Sequence, residues 1–473
     1  MNTKHILPSA VLCLMCSVAI TAQDTITLEK CRELALENSK SAAIAARNKD
    51  KAAYTRKAYR ANYFPKISAS GSYLYTNLRV TEKIREAYLP TFVPNPVTGG
   101  LSPNVIAGPD GNPIIGPDGN PFFREYAYFP GMDFSLKLNN FWMAGLSAEQ
   151  PIYTGGKITA AYRMAQTGDE IADLSRQLAR QETIVQADEA YWTFVQTSEM
   201  LKVARSYREM LDELLRNVQD AEKAGLKHRN DVLKVQVKMN EAELKLRQAE
   251  NGMLFSQKNL CRVMGLPFDI EVTLPASFGD YEFASPYCVP DYSSRPEYAM
   301  LEKQVTLKDQ EIKLVRSDFL PRADVVAGYG YTSGLMLNDR RLFDRASFSV
   351  MASVSIPVFH WGEGRNKIRA AKAERAIARL QREDINEQMA LELERAQDKC
   401  DESELEVELT VRSLEQAEEN MNVSALQYKS GMETLSGYLE AHTAWQKASM
   451  EHVGALARRR LNHTYYLKAS GEL

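Results

Sequence analysis

Histidine and cysteine are the side chains best suited by type to bind a metal or attack a substrate, and their spacing here argues against both. His5, His228, His360, His442, His452 and His463 include no His-Glu-x-x-His pair, and the last three share no close helical face. Past Cys13 and Cys16 at the amino end, Cys31, Cys261, Cys288 and Cys400 form no close pair and no metal-type spacing. They read as buried small hydrophobes, with a Cys31–Cys288 bridge as the alternative if the geometry allows it. There is no Gly-x-Ser-x-Gly elbow and no Gly-Lys-Ser/Thr phosphate loop. The carboxylates lie among Lys and Arg on helix-forming segments, as on any solvated face. Gly-Pro-Asp-Gly-Asn-Pro occurs at 108–113 and again at 116–121, which stacks turn signals without the ligand spacing of a calcium or phosphate loop. An exposed loop is expected there. Catalysis, a metal and a cofactor are all without a carrier in this sequence.

The function must therefore lie in the elements themselves. The 473 residues carry 58 Lys+Arg against 61 Asp+Glu, a net charge of −3, which supplies no basic face for nucleic acid. Residues 1–22 read as a secretory leader, with Lys4, an apolar stretch over 6–20, and Ala19, Thr21 and Ala22 before Gln23. That stretch is short for a membrane span and is interrupted by Pro8 and Ser17. Leu12 and Met15 precede the two leader cysteines where a lipidation signal would have small residues. Beyond residue 22 no apolar run is long enough to cross a bilayer as a helix, so any crossing must be made of strands.

Proline placement divides the chain, because helix interiors exclude it. None lies between Pro151 and Pro267, and none follows Pro357. These two segments superpose at a constant offset of 206 residues: Pro151 falls on Pro357, Gly156 on Gly362, Gly225 on Gly431, Leu233 on Leu439 and Gly265 on Gly471. Upstream the offset is 256, with Phe64-Pro65 falling on Leu320-Pro321, so one 50-residue insertion lies between Asn77 and Asn139.

Each repeat has the same parts. Ile67, Ala69, Gly71, Tyr73 and Tyr75 alternate with Ser68, Ser70, Ser72 and Thr76, and Ala323, Val325, Ala327, Tyr329 and Tyr331 repeat the pattern. Trp142, Ala144, Leu146 and Ala148, and later Phe348, Val350, Ala352, Val354 and Ile356, form second strands. From 156 to 225 apolar residues recur at coiled-coil spacing, including Ile171, Leu174, Leu178, Val185, Trp192, Val195, Leu211, Leu214 and Val218. A helix of that length is roughly 100 Å long and must pack along partners. Gly225 and Gly431 then mark the turns of two long helical hairpins.

Four strands cannot close a barrel, and open edges are excluded from lipid. Several chains must pool them, and three chains would give twelve strands. One face of each strand is apolar enough for lipid and the other small or polar enough for water. Trp142, Trp361 and Tyr73, Tyr75, Tyr329 and Tyr331 are candidates for aromatic girdles.

Ala35-Leu36-Glu37-Asn38, Phe64-Pro65, Leu320-Pro321, Pro151-Ile152-Tyr153-Thr154-Gly155-Gly156 and Arg295-Pro296-Glu297, in this order and duplication, resemble the TolC family of outer-membrane efflux proteins over essentially the whole mature length. The resemblance implies a mainly α fold with a membrane β-barrel. Two structural repeats per chain supply long antiparallel coiled-coil helices to an α-barrel and four strands to a shared trimeric 12-stranded barrel. It implies a homotrimer in the cell outer membrane and its lipid, extending into the periplasm, docked to a periplasmic adaptor and an inner-membrane transporter.

The resemblance also implies roles for the helical turns. Residues 224–233 resemble the first tip motif and 428–440 the second, so Ala224, Gly225, Leu226, Val232, Leu233, Ser430, Gly431, Met432 and Leu439 become adaptor-contact candidates. Tyr428 and Asp231 match a tyrosine and aspartate that hold the tip shut, and Glu440 matches one acid of a constriction. Two positions depart from the family: Glu433 stands where an arginine is expected, and Gly437 replaces the second acid. Glu433 would repel Asp231, so the closed state must be held differently, with Lys227 or Arg229 as the candidate source of the missing cation.

The expected organisation is a leader at 1–22 and a first repeat at 23–266, with a β-hairpin over 65–153 that carries a surface loop at 78–139, and a helical turn near 225. A connecting belt at 267–296 and a second repeat at 297–473 follow, with a β-hairpin over 321–359 and a turn near 431. The expected function is an exit duct conducting substrates passively to the exterior, not an enzyme. A secreted coiled-coil scaffold or adhesin without a pore is the alternative; the paired amphipathic hairpins, for which a soluble scaffold has no use, speak against it.

Overall fold

The computed structural model describes residues 26–273, 278, 291–342 and 344–473. The leader at 1–22, Cys288 and hence the Cys31–Cys288 bridge lie outside them, as does much of the belt. In chain order the elements are α1 (Leu28–Asn38), α2 (Lys40–Ala61), β1 (Lys66–Leu74), β2 (Leu78–Ile84), β3 (Ala87–Pro90), β4 (Phe92–Pro94), β5 (Leu101–Pro103), β6 (Tyr126–Phe129), β7 (Met132–Tyr153), α3 (Lys157–Lys223) and α4 (Arg229–Met264). A short 3₁₀ turn at Tyr292–Ser294 leads into α5 (Pro296–Ser317), β8 (Arg322–Leu337), β9 (Arg340–Leu342), β10 (Arg345–Ser355), α6 (Glu363–Lys429) and α7 (Leu435–Ser470). They form two units, one helical and one of strands (60–158 with 316–364).

In the strand unit an antiparallel sheet runs β1-β7-β8-β10. Its register puts Ala69 opposite Leu146, Tyr73 opposite Trp142, Leu146 opposite Tyr329 and Tyr329 opposite Phe348. These residues share one face, with Ile67, Val350 and Val354, and many of them are exposed large hydrophobics. The other face carries Ser70, Gly145, Ser147, Gly328, Gly330 and Ser349. Period-two alternation in each strand, held in register across four, yields one apolar and one Ser/Gly face. Trp142 stacks on Tyr331, centroids 5.0 Å apart, at one end of the apolar face. Among the described residues the two outer strands, β1 and β10, each have a partner on one side alone.

The stretch 78–139 differs from the surface loop expected of it, because much of it is paired. β2 runs antiparallel to the start of β7, Leu78 facing Leu138 and Ile84 facing Met132. The alternation of Leu78, Val80, Glu82 and Ile84 is enough for a strand once β7 offers its edge; the turn signals around it masked this. The two Gly-Pro-Asp-Gly-Asn-Pro turns impose an eight-residue period. The amides of Ile114, Phe122 and Ile106 donate to the carbonyls of Ile106, Ile114 and Phe122 at 2.8–2.9 Å, closing a ring of three hydrogen bonds.

In the helical unit α3 and α6 are both 67 residues long, and α4 and α7 both 36. At 1.5 Å per residue the longer pair measures about 100 Å each. The two turns end alike. Gly225 and Gly431 adopt left-handed φ of 76° and 79°, and the amides of Leu226 and Met432 reach back 2.8 Å to the carbonyls of Ala221 and Gln427. That 6→1 bond closes the last turn, and only glycine takes the left-handed position without strain.

One core cluster joins α1, α3 and α4 through Cys31, Ala35, Ala187, Trp192, Leu260 and Met264. Cys31 and Cys261 are fully buried, and among the described residues they stand as free thiols. Burial, and next the Asp188 charge, pushes the Cys31 thiol up to about 12, which makes it inert. Asp188, itself 0% exposed, accepts from Arg32 Nε and Nη2 at 2.6 Å each and from Thr464 Oγ1 at 2.7 Å, tying α1, α3 and α7 together.

Candidate functional site: the helical turns

A second core cluster underlies the turns, built from Tyr207, Leu211, Leu214, Val218, Val232, Val235, Met239, Leu435 and Leu439. It brings α3, α4 and α7 together by the heptad spacing already visible in α3. Val232 and Leu439, expected at a contact surface, are instead buried in it. Ala224, Gly225, Ser430 and Gly431 are exposed, as are Leu233 and, most strongly, Leu226 at 78% and Met432 at 77%. Leu233 and Val237 of α4 and Leu439 and Thr443 of α7 line a groove of about 580 Å³ rimmed by Lys234, Lys238 and Glu440.

Tyr428 and Asp231 are electrostatic neighbours. Burial, and after it the Asp231 carboxylate, holds the Tyr428 phenol above its ordinary value. Among the described residues no hydrogen bond joins them within one chain. Asp231 sits in the first turn of α4, where the helix dipole favours a carboxylate, with Lys234 Nζ 3.9 Å away.

Among the described residues no bond joins Glu433 to Asp231's helix; its carboxylate serves the start of α7. Its Oε1 accepts from the backbone amide of Thr434 at 2.9 Å. Thr434 is the N-cap of α7, its Oγ1 accepting from the amide of Gly437 at 3.1 Å. In a capping box the N-cap amide is satisfied by an acid at the third helical position. Here that position is Gly437, and Glu433 supplies the carboxylate from the other side. The two departures from the family pattern are thus one arrangement.

Three residues at the turns carried no signal of their own in the sequence: Thr434, Tyr438 and His442. Tyr438 stacks on Tyr428, centroids 4.9 Å apart and planes 15° from parallel, and His442 meets Tyr438 edge-on at 4.5 Å. Lys227 Nζ lies 5.0 Å from the centroid of the Tyr428 ring. Their i, i+4 spacing on α7 is what a core-facing pair also shows, so it could not be told apart from packing.

A family model described as outer membrane efflux protein matches residues 131–266 and 292–465. The alkaline protease secretion protein AprF of Pseudomonas aeruginosa is 24% identical over 231 residues, 47% of this chain and 47% of that one. The match thus spans about half the length of that curated relative. Among solved structures, the CmeC outer membrane channel of Campylobacter jejuni superposes with a TM-score of 0.73 at 17% identity, covering 100% of this chain and 93% of that one. The outer membrane protein VceC of Vibrio cholerae gives 0.70 at 15%, covering 94% and 96%. The open-state MtrE outer membrane channel of Neisseria gonorrhoeae gives 0.70 at 16%, covering 94% and 88%. A sheet with one lipid-compatible face and two 67-residue helices define the class, a mainly helical outer-membrane protein with a section built of strands. The chain belongs to the outer membrane efflux protein family, and its place is the outer membrane.

Proposed function

We propose that the chain is the exit duct of a tripartite efflux or secretion system, conducting substrates passively and catalysing nothing. Three copies pool their strands into one barrel in outer-membrane lipid; a periplasmic adaptor and an inner-membrane transporter complete the machine, and nucleic acid is not a partner. One observation carries this reading most directly: a sheet whose strands β1-β7-β8-β10 present an exposed apolar face and a Ser/Gly face, with both outer edges unpaired among the described residues. Such a sheet is satisfied by closing on further copies in lipid. A pore-less scaffold has no use for a small polar face opposite an apolar one. Membrane fractionation followed by light scattering of the detergent-solubilised particle tests it: a three-protomer particle from the outer membrane is expected, and a soluble monomer or dimer would sink the reading.

At the turns, the adaptor is read as gripping Ala224, Gly225, Leu226, Leu233, Ser430, Gly431 and Met432, with Val232 and Leu439 shaping that surface from beneath. Asp231, Tyr428, Glu433 and Glu440 are read as the gate, Tyr428 and Asp231 forming its latch between closed copies. Unchanged conductance in a Tyr428→Phe, Asp231→Ala double variant would remove the latch from this account.

A further inference from the structure

We infer that a four-membered stack, Lys227–Tyr428–Tyr438–His442, holds the resting tip by pinning the α3–α4 turn to the α6–α7 hairpin. This deepens the duct reading and rests on it. The stack is continuous: the Lys227 ammonium lies 5.0 Å from the Tyr428 centroid, Tyr428 and Tyr438 are nearly parallel at 4.9 Å, and Tyr438 meets the His442 ring at 4.5 Å and 69°. Each step is a favourable geometry, a cation over a ring, an offset stack and an edge-to-face pair.

Three elements meet in it. Lys227 belongs to the turn that follows Gly225, Tyr428 to the last turn of α6, and Tyr438 and His442 to successive turns of α7. Among the described residues no ion pair or hydrogen bond joins 224–231 to 428–442. Apart from the non-directional core beneath, the Lys227–Tyr428 contact is, among the described residues, the directional link from one turn to the other, and Tyr438 and His442 hold the Tyr428 ring in place for it. Any motion that separates the two turns must lift Lys227 from the Tyr428 ring.

His442 is the anchored end. It is 6% exposed, and neither ring nitrogen has a hydrogen-bond partner. Burial pulls its pKa down to about 4, so the ring is neutral. An aliphatic side chain would fill this site without two orphaned nitrogens; the imidazole instead offers Tyr438 an aromatic edge. Lys227 also answers the question posed by Glu433. The cation missing from position 433 reaches the tip from the opposite hairpin, bound to the tyrosine ring rather than to a carboxylate.

Single-channel recording of the full mature chain in planar bilayers tests this. Lys227→Met removes only an ammonium from a half-exposed turn residue, so folding is not at stake; Tyr438→Leu removes the central ring. Both are expected to raise the open probability about three- to fivefold, while Lys227→Arg and Tyr438→Phe, which keep cation and ring, stay near wild type. Wild-type behaviour of Lys227→Met, or equal leakiness of the conservative variants, would overturn the stack and leave the duct standing. A wild-type chain that forms no pore would overturn the duct reading itself.

Discussion

A Cβ at position 437 would collide with Oε1 of Glu433. The carboxylate of Glu433 and any side chain at 437 compete for one place, beside the amide of Thr434 that begins α7. An acid at 437 would cap that amide in the usual way and leave 433 free for a cation; with Glu433 as the cap, a side chain at 437 would push its carboxylate aside. The like charges would otherwise lie side by side at a helix end.

Gly437→Asp alone is therefore expected to displace Glu433 and set two like charges side by side, weakening the start of α7 by about 0.2–0.5 kcal/mol. Adding Glu433→Arg should restore it, because the acid at 437 then caps and the arginine is released. Hydrogen exchange at the Leu435–Gly437 amides reads this: faster in the single variant, back to the parent rate in the double. Equal exchange in all three would break the link between the two positions.

Asp188 should be the costliest polar residue to lose in the helical unit. Removing it takes from half-buried Arg32 its two bonds to the carboxylate and from buried Thr464 its shorter one, and releases α1 from α3 and α7. Asp188→Ala is expected to cost about 1–3 kcal/mol, and Asp188→Asn distinctly less because it keeps the shape and one acceptor. Exchange over Leu28–Asn38 should rise far more than exchange over α4.

His442 sets a pH dependence of known sign. The unfolded side chain takes a proton below about 6.5, whereas the folded one refuses it until about 4. Between those values the unfolded state binds more protons, so stability is intact above about pH 6.5 and falls as the pH drops towards 4. The shift corresponds to roughly 3 kcal/mol at most. Thermal midpoints at pH 7.5, 5.5 and 4 should fall more steeply for the parent than for His442→Leu; parallel curves would refute the assignment.

What could be read in advance follows from range. The alternation from Ile67 to Tyr73, the proline-free segments and the Gly225/Gly431 turns are local signals, and strand faces, helix lengths and turn positions follow from them. The Arg32–Asp188–Thr464 tie joins residues 156 and 276 positions apart, and no periodicity points to it. At the turns, matching positions identified Tyr428, Asp231 and Glu433, but the direction of Glu433 depends on the space above Gly437. Tyr438 and His442 share the spacing of any core pair, and β2 is hidden because its partner edge lies far along the chain, Leu78 facing Leu138 and Ile84 facing Met132.

The two outer strands allow a direct test of barrel sharing. Among the described residues β10 pairs with β8 alone and β1 with β7 alone. In a strand with one free edge, amides alternate between the ladder and solvent, so proline is tolerated at every other position. If β10 of one copy also pairs with β1 of the next, no position is free. Val350→Pro and Met351→Pro place the substitution on both sides of the strand in turn. A lone sheet predicts that one of the pair assembles normally, whereas a shared barrel predicts that both lose the detergent-stable particle in native electrophoresis. A helical-unit control such as Lys227→Met should keep the particle, so that loss in both proline variants reports on the strand edge rather than on handling.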